Sequence, residues 1–393
     1  MTERRLRELL RAAPPPGELD AERRTWQVVT AAYAEREPVP APRRHVRAAV
    51  LGVAALALLA AALSPPGSAV LASIRDAVGR ERVVGVDEAR PLLLELPASG
   101  RLLVTSPSGA WVVNADGSKR LLGEADDATW SPQGLFVALA RGRQLVAVTP
   151  EGVTRWTIPR RAAVRDPRWA PSGFRIAYRA GRTLRVTAGD GTDDRVLARA
   201  TAPVAAEWRP GTDHVLAYAT GTGSVRVVDT DTGELLRRVP AGEAPVLGLA
   251  WLRDGQTLAV LERGAVRIAG PGRAVRRLPL AGRTGASFAA APRGGELAVV
   301  ARSARGARSE LLLVRTGSGA VRPLFSGAGR FTEAAWSPDG AWLLVAWASA
   351  DQWVFVRSTD VEGLAAVADV SRQFQGGAGA ADGFPTLGGW CCG

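Results

Sequence analysis

Short apolar runs, each bounded by Gly, Pro, Asp or Ser, dominate the chain from residue 91 onward. Residues 336–340, Trp-Ser-Pro-Asp-Gly, show the pattern clearly. An apolar run ends at the Trp, a turn follows, and a second apolar run occupies 341–347. Ser, Pro and Gly at the first, second and fourth turn positions favour a type I β-turn. The pattern therefore predicts two strands joined by a tight turn.

The same turn recurs along the chain, which is typical of a repeat protein. Its copies begin at Trp130, Trp169, Trp208, Trp251, Ala290 and Trp336. The steps between copies are 39, 39, 43, 39 and 46 residues. A second turn of the Asp-Gly type follows most copies after about 20 residues, so each unit contains four short strands. Four antiparallel strands in about 40 residues predict a β-propeller blade.

The Trp-Ser-Pro-Asp-Gly turn and the Asp-Gly hairpin after it resemble the WD40-like repeats of TolB-type propellers. The resemblance covers roughly residues 91–390. The Gly-His and Trp-Asp dipeptides of WD40 repeats proper do not mark the blades. The resemblance implies an all-β propeller fold and a role in binding, and it brings no catalytic residue.

The number of blades depends on how the ring closes. Six copies of the motif predict six blades over 125–369, and the segment 100–122 reads as a further blade that lacks its first strand. The tail ends at Trp390 and resembles the end of a first strand. We therefore favour a seven-bladed ring over a six-bladed one, with the tail as the missing strand. The alternative is that residues 91–96 fill this position.

The segment before the propeller carries a candidate membrane anchor. Residues 48–63 contain no charged or strongly polar side chain, and a core helix of a soluble protein is rarely apolar on every face. We predict a transmembrane helix at 46–64, a connector at 65–90 and a propeller at 91–393. The alternative is a cleaved signal peptide, which the long polar arm before the apolar run disfavours.

The polar arm, residues 1–45, contains a predicted amphipathic helix at 18–37. Leu19, Trp26, Val29 and Tyr33 fall close to helical spacing on one face. The helix would lie on lipid or on its own chain, or dock a cytoplasmic partner. Arginines are slightly more frequent before the apolar run than after it, which favours a cytoplasmic N-terminus and an extracytoplasmic propeller at the cell membrane.

The charge of the chain permits two interpretations. Its net charge is +12, and Lys119 is the single lysine among 50 basic residues. The first interpretation is GC-rich coding, because an arginine excess together with abundant Ala, Gly and Pro is typical of it. The second is a basic surface for nucleic acid or anionic lipid. Because the arginines are scattered among acidic residues, we do not infer binding of nucleic acid.

Few residues suggest catalysis or metal binding. The chain has two adjacent cysteines, Cys391 and Cys392, and two histidines, His45 and His214. This excludes a Cys-rich disulfide scaffold and a zinc centre built only from His and Cys. The cysteines are either two thiols or a vicinal disulfide that pins the closing strand. The basic loop 302–308 is interpreted as a solvated hairpin tip.

Two further observations concern acidic residues. Asp229 and Asp231 flank a turn but lack the regular set of oxygen ligands that Ca²⁺ requires. A ring fold brings distant residues together, so a pair of carboxylates across the central channel stays possible. We assign no catalytic, cofactor-binding or metal-binding residue and expect no cofactor.

The sequence favours a membrane-anchored propeller that recognises a protein, a peptide or a cell-wall ligand outside the cytoplasm. Two alternatives stay open. One is an envelope-linked regulator whose arm binds a cytoplasmic partner, and the other is a hydrolase or lyase that uses carboxylates of the channel. The expected partners are membrane lipid and an unidentified protein, peptide or glycan; the oligomeric state is not predicted.

Overall fold

The structure is a computed structural model that describes residues 90, 93, 95–359, 364–375 and 383–392. The predicted arm, the predicted transmembrane helix at 46–64 and the connector up to residue 89 lie outside the described residues. Within the part of the chain that is described, no helix is both long enough and apolar enough to cross a membrane.

The described residues form 28 strands, two short helical segments and the turns between them. The strands of the first half are β1 (Arg101–Ser106), β2 (Gly109–Val113), β3 (Lys119–Gly123), β4 (Asp127–Trp130), β5 (Val137–Arg141), β6 (Gln144–Val148), β7 (Thr154–Pro159), β8 (Val164–Trp169), β9 (Arg175–Ala180), β10 (Thr183–Ala188), β11 (Arg195–Ala198), β12 (Glu207–Trp208), β13 (Val215–Ala219) and β14 (Val225–Asp229).

The second half repeats the same succession of strands and contains both helical segments. Its elements are β15 (Leu235–Val239), β16 (Val246–Trp251), β17 (Leu258–Glu262), β18 (Ala265–Ala269), β19 (Arg276–Pro279), β20 (Thr284–Ala290), β21 (Glu296–Arg302), β22 (Arg308–Arg315), β23 (Val321–Ala328), β24 (Phe331–Trp336), β25 (Trp342–Trp347), a 3-10 helix (Ala348–Ala350), β26 (Gln352–Arg357), β27 (Ala365–Val367), α1 (Val370–Gln373) and β28 (Thr386–Cys391).

The strands pair into seven antiparallel sheets of four, which are the blades of a β-propeller. Blades 2 to 7 each consist of four consecutive strands, β4–β7, β8–β11, β12–β15, β16–β19, β20–β23 and β24–β27. Blade 1 has the order β28-β1-β2-β3. The prediction of an all-β propeller with seven blades is confirmed. The second and third strands of each blade are mostly buried between neighbouring blades, whereas outermost strands such as β7, β11, β15 and β19 are largely exposed.

The ring closes where β28 pairs with β1. Trp390 lies opposite Leu102, and the ring of Trp390 meets that of Phe355 in blade 7 at 5.8 Å. Leu93 and Leu96, from the segment considered as the alternative closing strand, are buried in the same apolar cluster but form no strand. Because β28 occupies the innermost position, the strand edge of β1 is covered rather than exposed.

Each motif Trp ends the innermost strand of its blade and faces the preceding blade. The indole N–H groups of Trp208, Trp251 and Trp336 donate to main-chain carbonyl oxygens of the preceding innermost strand at 2.9, 3.1 and 3.1 Å. In the following turn, Ser337 Oγ accepts from the amide of Trp342 at 2.9 Å. The motif therefore joins blades and turns strands, as its residue types predict.

The loops of the propeller lie on two opposite faces, because consecutive strands of a blade run in opposite directions. We call one the Trp-turn face. It carries the loops from the first to the second and from the third to the fourth strand of each blade, starting with the motif turns. The opposite side, the hairpin face, carries the loops between second and third strands and those that lead to the next blade.

The two cysteines form a disulfide at the end of β28. Cys391 and Cys392 are neighbours with Cα atoms 3.7 Å apart, and they lie beside the motif turn of blade 2 at Gly134. A disulfide between neighbouring residues closes no loop of the unfolded chain, so it removes little conformational entropy. Burial and pairing of β28 therefore close the ring.

Deletion of residues 383–393 should destabilise the whole ring. The change removes Trp390 from the core and exposes the edge of β1, and loss of a buried Trp side chain alone costs about 3–5 kcal/mol. We expect the melting temperature to fall by at least about 10 °C, with aggregation at lower temperature. The measurement is thermal unfolding followed by circular dichroism and light scattering.

The matched control is the double substitution Cys391→Ser and Cys392→Ser, which keeps β28 but removes the disulfide. It should change the melting temperature by less than about 2 °C. An unchanged melting temperature after the deletion would show that β28 does not close the ring.

Candidate functional site

The central channel of the ring is lined by the innermost strands β4, β8, β12, β16, β20, β24 and β28. It encloses a volume of about 600 Å³. The lining extends from Pro203 and Leu247, near the hairpin face, to Pro292 and Pro338 in the motif turns. The channel therefore runs from the hairpin face to the Trp-turn face, with protein side chains along its whole length.

The residues that face the channel follow a simple register. They lie one or three positions before the motif Trp, because side chains of a strand alternate between its two faces. Glu333 stands three positions before Trp336 and Glu207 one position before Trp208, and both line the channel. Asp127 stands three positions before Trp130, at the start of β4. These carboxylates were not predicted from the sequence, although the register before each Trp marks them.

Four charged side chains from four blades, those of Asp127, Arg168, Glu207 and Glu333, lie near enough to one another around the channel to interact electrostatically. Arg168 Nε lies 3.4 Å from Glu207 Oε1. Asp127 accepts hydrogen bonds from its neighbouring amide at 2.8 Å and from an amide of blade 3 at 2.9 Å. Glu333 accepts from the amide of Leu387 at 2.6 Å. The structure thus brings together carboxylates that are up to about 200 residues apart in the chain.

Burial sets the protonation behaviour of this cluster. Loss of hydration raises the pKa of Asp127, Glu207 and Glu333, because a carboxylate is poorly solvated between the blades. Burial alone would lower the pKa of Arg168, but the carboxylates of Glu207 and Asp127 outweigh it and raise that pKa. About a third of the Arg168 and Glu207 side chains stays open to the channel (33% and 30%), so a ligand there can reach both.

The arrangement does not resemble a metal site or a nucleophile–base pair. Among the described residues, no three His, Cys, Asp or Glu side chains lie close enough together to hold a metal ion. His45 lies outside the described residues. His214 precedes β13 on the Trp-turn face, where its Nδ1 lies 3.0 Å from Asp213 Oδ1 and its side chain is 40% exposed.

The other residues considered from sequence have local structural roles. Asp229 Oδ1 accepts from the amides of Asp231 and Thr232 at 2.8 and 3.1 Å, so it caps its own turn. The loop 302–308 joins β21 to β22 on the hairpin face, and its three arginines are exposed. The interpretation of this loop as a hairpin tip is confirmed.

A second recess lies on the Trp-turn face between blades 2 and 3. Its aromatic walls are Phe136, Trp156, Trp169 and Phe174, and its volume is about 550 Å³. Phe136 stacks on Trp169 with ring centres 6.5 Å apart. Phe174 is 70% exposed at the rim. We call these four side chains the aromatic recess.

Charged side chains and a further exposed apolar side chain lie beside the aromatic rings of the recess. Arg155 and Asp190 also line it, and Leu135 in the neighbouring motif turn is 62% exposed. Trp156 is held in place by its indole N–H, which donates to the carbonyl oxygen of Gly189 at 3.0 Å. Of these residue types, the aromatic residues and Arg are enriched where proteins bind partners.

The two faces of the propeller differ in charge. The described loops of the hairpin face carry Arg143, Arg160, Arg161, Arg182, Arg199, Arg263, Arg283, Arg305, Arg330 and Arg372, against Glu124, Asp126, Glu243, Asp351 and Asp369. The described loops of the Trp-turn face carry Asp116, Glu151, Asp190, Asp193, Asp213, Asp231, Glu234, Asp254 and Asp339, against Arg209, Arg253, Arg273 and Arg293. Asp194, also in one of these loops, is bound inside blade 3 by Arg160 and Arg185. The arginines that are scattered in sequence are therefore sorted in space.

Comparison with known proteins supports the fold alone. No protein-family model matches the chain, and neither does any curated protein. The β-propeller domain of Cps50 (Swd1) from Myceliophteria thermophila is similar in structure, with a TM-score of 0.50 and 16% identity over 60% of this chain and 84% of that one. Hydrazine synthase from Kuenenia stuttgartiensis is similar with a TM-score of 0.49 and 13% identity over 59% and 76%. The fold is thus a seven-bladed propeller resembling WD40-type propellers.

Substitution Glu333→Gln should reveal the raised pKa of this buried carboxyl. A raised pKa in the folded state makes the neutral form stabilising below the unfolded pKa of about 4.3, and this contribution is lost as pH rises toward the folded value. The Gln variant does not lose it. Its melting temperature relative to wild type should therefore rise by about 2–4 °C between about pH 4 and about pH 8.

Thermal unfolding across this pH range measures the effect, and Asp116→Asn is the control of opposite sign. Hydrogen bonds from Ser118 lower the pKa of Asp116, so the relative melting temperature of Asp116→Asn should fall as pH rises. A difference between Glu333→Gln and wild type that stays constant with pH would contradict the prediction.

Proposed function

We propose that this protein is a recognition module that binds a polypeptide at the aromatic recess of the Trp-turn face. In this proposal the helix predicted at 46–64 anchors it in the cell membrane, with the arm 1–45 in the cytoplasm and the propeller outside. The observation that carries the proposal is the aromatic recess with its exposed Phe174. A WD40-like propeller is compatible with a protein-binding scaffold.

The energetics of the recess favour binding of an apolar side chain from a partner. An exposed Phe at a concave site gives up hydration when a partner covers it, and burial of one aromatic side chain contributes about 1.5–3 kcal/mol. Arg155 and Asp190 at the rim offer one charge of each sign, which fits the main chain and mixed side chains of a peptide. The loops stand on rigid blades, so little ordering accompanies binding.

A peptide selection with matched variants tests the proposal. The full-length chain in detergent is used to select peptides from a displayed random library. Phe174→Ser should weaken the selected peptides by about tenfold to a hundredfold, as expected for an aromatic hot spot. Leu236→Ser, which removes a 45% exposed apolar side chain from blade 4, should leave the affinity unchanged.

Titration of a labelled peptide by fluorescence anisotropy gives the affinities. Peptides that bind equally well to wild type and to Phe174→Ser, or a library from which nothing is enriched, would reject the aromatic recess as the site. Retention of a glycan in the same assay, lost in Phe174→Ser, would reject the polypeptide and assign a cell-wall ligand instead.

The membrane arrangement rests on the sequence and has its own test. Protease added outside intact cells should digest the propeller but not the arm. Digestion of neither would contradict the proposed topology. The alternative of an envelope-linked regulator requires that residues 1–45 bind a cytoplasmic partner, so replacing them by a neutral linker should abolish its co-purification.

A second candidate function is catalysis in the channel, favoured by the raised pKa values of Asp127, Glu207 and Glu333. A carboxyl that stays protonated to higher pH can act as a general acid in a hydrolase or lyase. The purified chain would then turn over a glycan or peptide at low pH, with activity that falls as pH rises. Glu333→Gln should abolish this activity while peptide binding at the aromatic recess persists.

A further inference from the structure

Several arginines of the hairpin face do not use their guanidinium groups in the turns that carry them. On the Trp-turn face, acidic side chains bond their own loops: Asp190 accepts from the amide of Thr192 at 3.0 Å, for example. Turn chemistry therefore explains acidic residues there. By contrast, the guanidinium groups of Arg143, Arg182 and Arg263 are exposed and form no hydrogen bond or ion pair with any described residue. Their excess on one face calls for a different explanation.

A cationic cavity opens on the same face between blades 2 and 3. It has a volume of about 570 Å³, and its charged lining consists of Arg160, Arg161, Arg185 and Arg199. Asp194 lies behind this wall and pairs with Arg160 and Arg185. The single carboxylate leaves two guanidinium groups, those of Arg161 and Arg199, exposed and unpaired among the described residues.

This cavity has the chemistry of a site for a phosphate group and room for a larger ligand that carries one. Guanidinium groups bind phosphate oxygens through paired hydrogen bonds, which makes arginine the preferred partner of that anion. Pro159, Ala162 and Val196 add apolar lining next to the arginines. A ligand that joins a phosphate to an apolar body fits such a wall.

The path of the chain indicates which anionic surface lies close to this face. Arg90 pairs with the end of β27: its amide donates to Ala366 at 3.0 Å and its carbonyl accepts from Ala368 at 2.8 Å. Because β27 ends toward the hairpin face, the chain enters the propeller there. The predicted transmembrane helix ends about 25 residues earlier, and a random coil of about 25 residues spans roughly 30 Å.

We propose that the hairpin face docks on an anionic phospholipid membrane, with the four-arginine cavity holding a headgroup phosphate. The proposal rests on the membrane anchor of the proposed function, because a tether of this length keeps the face at high effective concentration near lipid. The acidic Trp-turn face and its aromatic recess then point away from the bilayer. Each arginine near an anionic surface strengthens docking.

Lipid-dependent quenching of a single fluorophore tests the docking. Both natural cysteines are in the disulfide, so an introduced cysteine is labelled selectively. Thr222→Cys places the label on the hairpin face, and Gln133→Cys places it on the Trp-turn face. The full-length chain is reconstituted into vesicles that contain a quencher-labelled lipid, made of phosphatidylcholine alone or with about one third phosphatidylglycerol.

Anionic lipid should quench the label at residue 222 at least about twofold more than neutral lipid does, and leave the label at 133 unchanged. Raising the salt concentration should weaken this effect, since exposed charges are screened. Equal quenching at both positions in both lipid mixtures would overturn the proposal.

Charge-matched variants separate this face from net charge. The first replaces Arg161, Arg182, Arg199 and Arg263 by Gln, and the quenching at residue 222 should drop to the level in neutral lipid. The control replaces Arg120, Arg253, Arg273 and Arg293 by Gln, which are exposed at or near the Trp-turn face, and quenching should stay as in wild type. Equal loss in both variants would also overturn the proposal.

Failure of the anchor is distinguishable from failure of the docking face. If alkaline carbonate strips the chain from neutral vesicles, the proposed anchor is wrong, and flotation with anionic vesicles then tests the face on its own. In that case, the docking face is still supported if wild type and the control variant float with anionic vesicles and the first variant does not. The membrane is the wrong partner if the first variant loses binding to polyglutamate or DNA but still binds anionic vesicles as well as wild type does.

Discussion

The pairing of β28 with β1 is the contact on which the rest of the ring depends. Thr105 and Thr386 meet across it although 281 residues separate them along the chain. Without it, blade 1 would have only three strands. The apolar clusters between blades 7 and 1 and between blades 1 and 2 would also lose the residues of β28 that pack there, including Trp390. A closed ring leaves only the outer strands as edges, so the channel, the faces and the aromatic recess keep fixed positions.

Motif Trp side chains couple neighbouring blades around the ring. Trp208, Trp251 and Trp336 each bind a carbonyl oxygen of the blade before them, which makes the orientation of one blade depend on the next. Blade 6 departs from the pattern, since Ala290 replaces the Trp at the end of β20. There Phe288 packs against Gly248 of blade 5 instead, so an aromatic ring still fills the space between the blades.

Turn chemistry made the architecture predictable from the sequence. The candidate site was not predictable in this way, because its residues come together only in the folded ring. Trp336 and the Ser-Pro-Asp-Gly turn identify strand ends because only a few residue types suit such turns. Trp390 pointed to the closing strand because the count of motifs left the blade at 100–122 without a first strand. Glu207 and Glu333 escaped notice because no local motif marks them, although the two-residue period of strands before each Trp contained the signal. Arg182 and Arg263 look scattered until alternate loops are assigned to faces.

The split of blade 1 between β1 and β28 affects biosynthesis. Ribosomes release β1 long before β28, so six blades can form while the first waits with an open edge. Domains generally fold as units during synthesis, but this one cannot finish until its closing strand has emerged. Incomplete chains therefore differ from complete ones by an accessible strand edge, which chaperones and proteases can recognise. Closure therefore covers this edge only in molecules that contain β28.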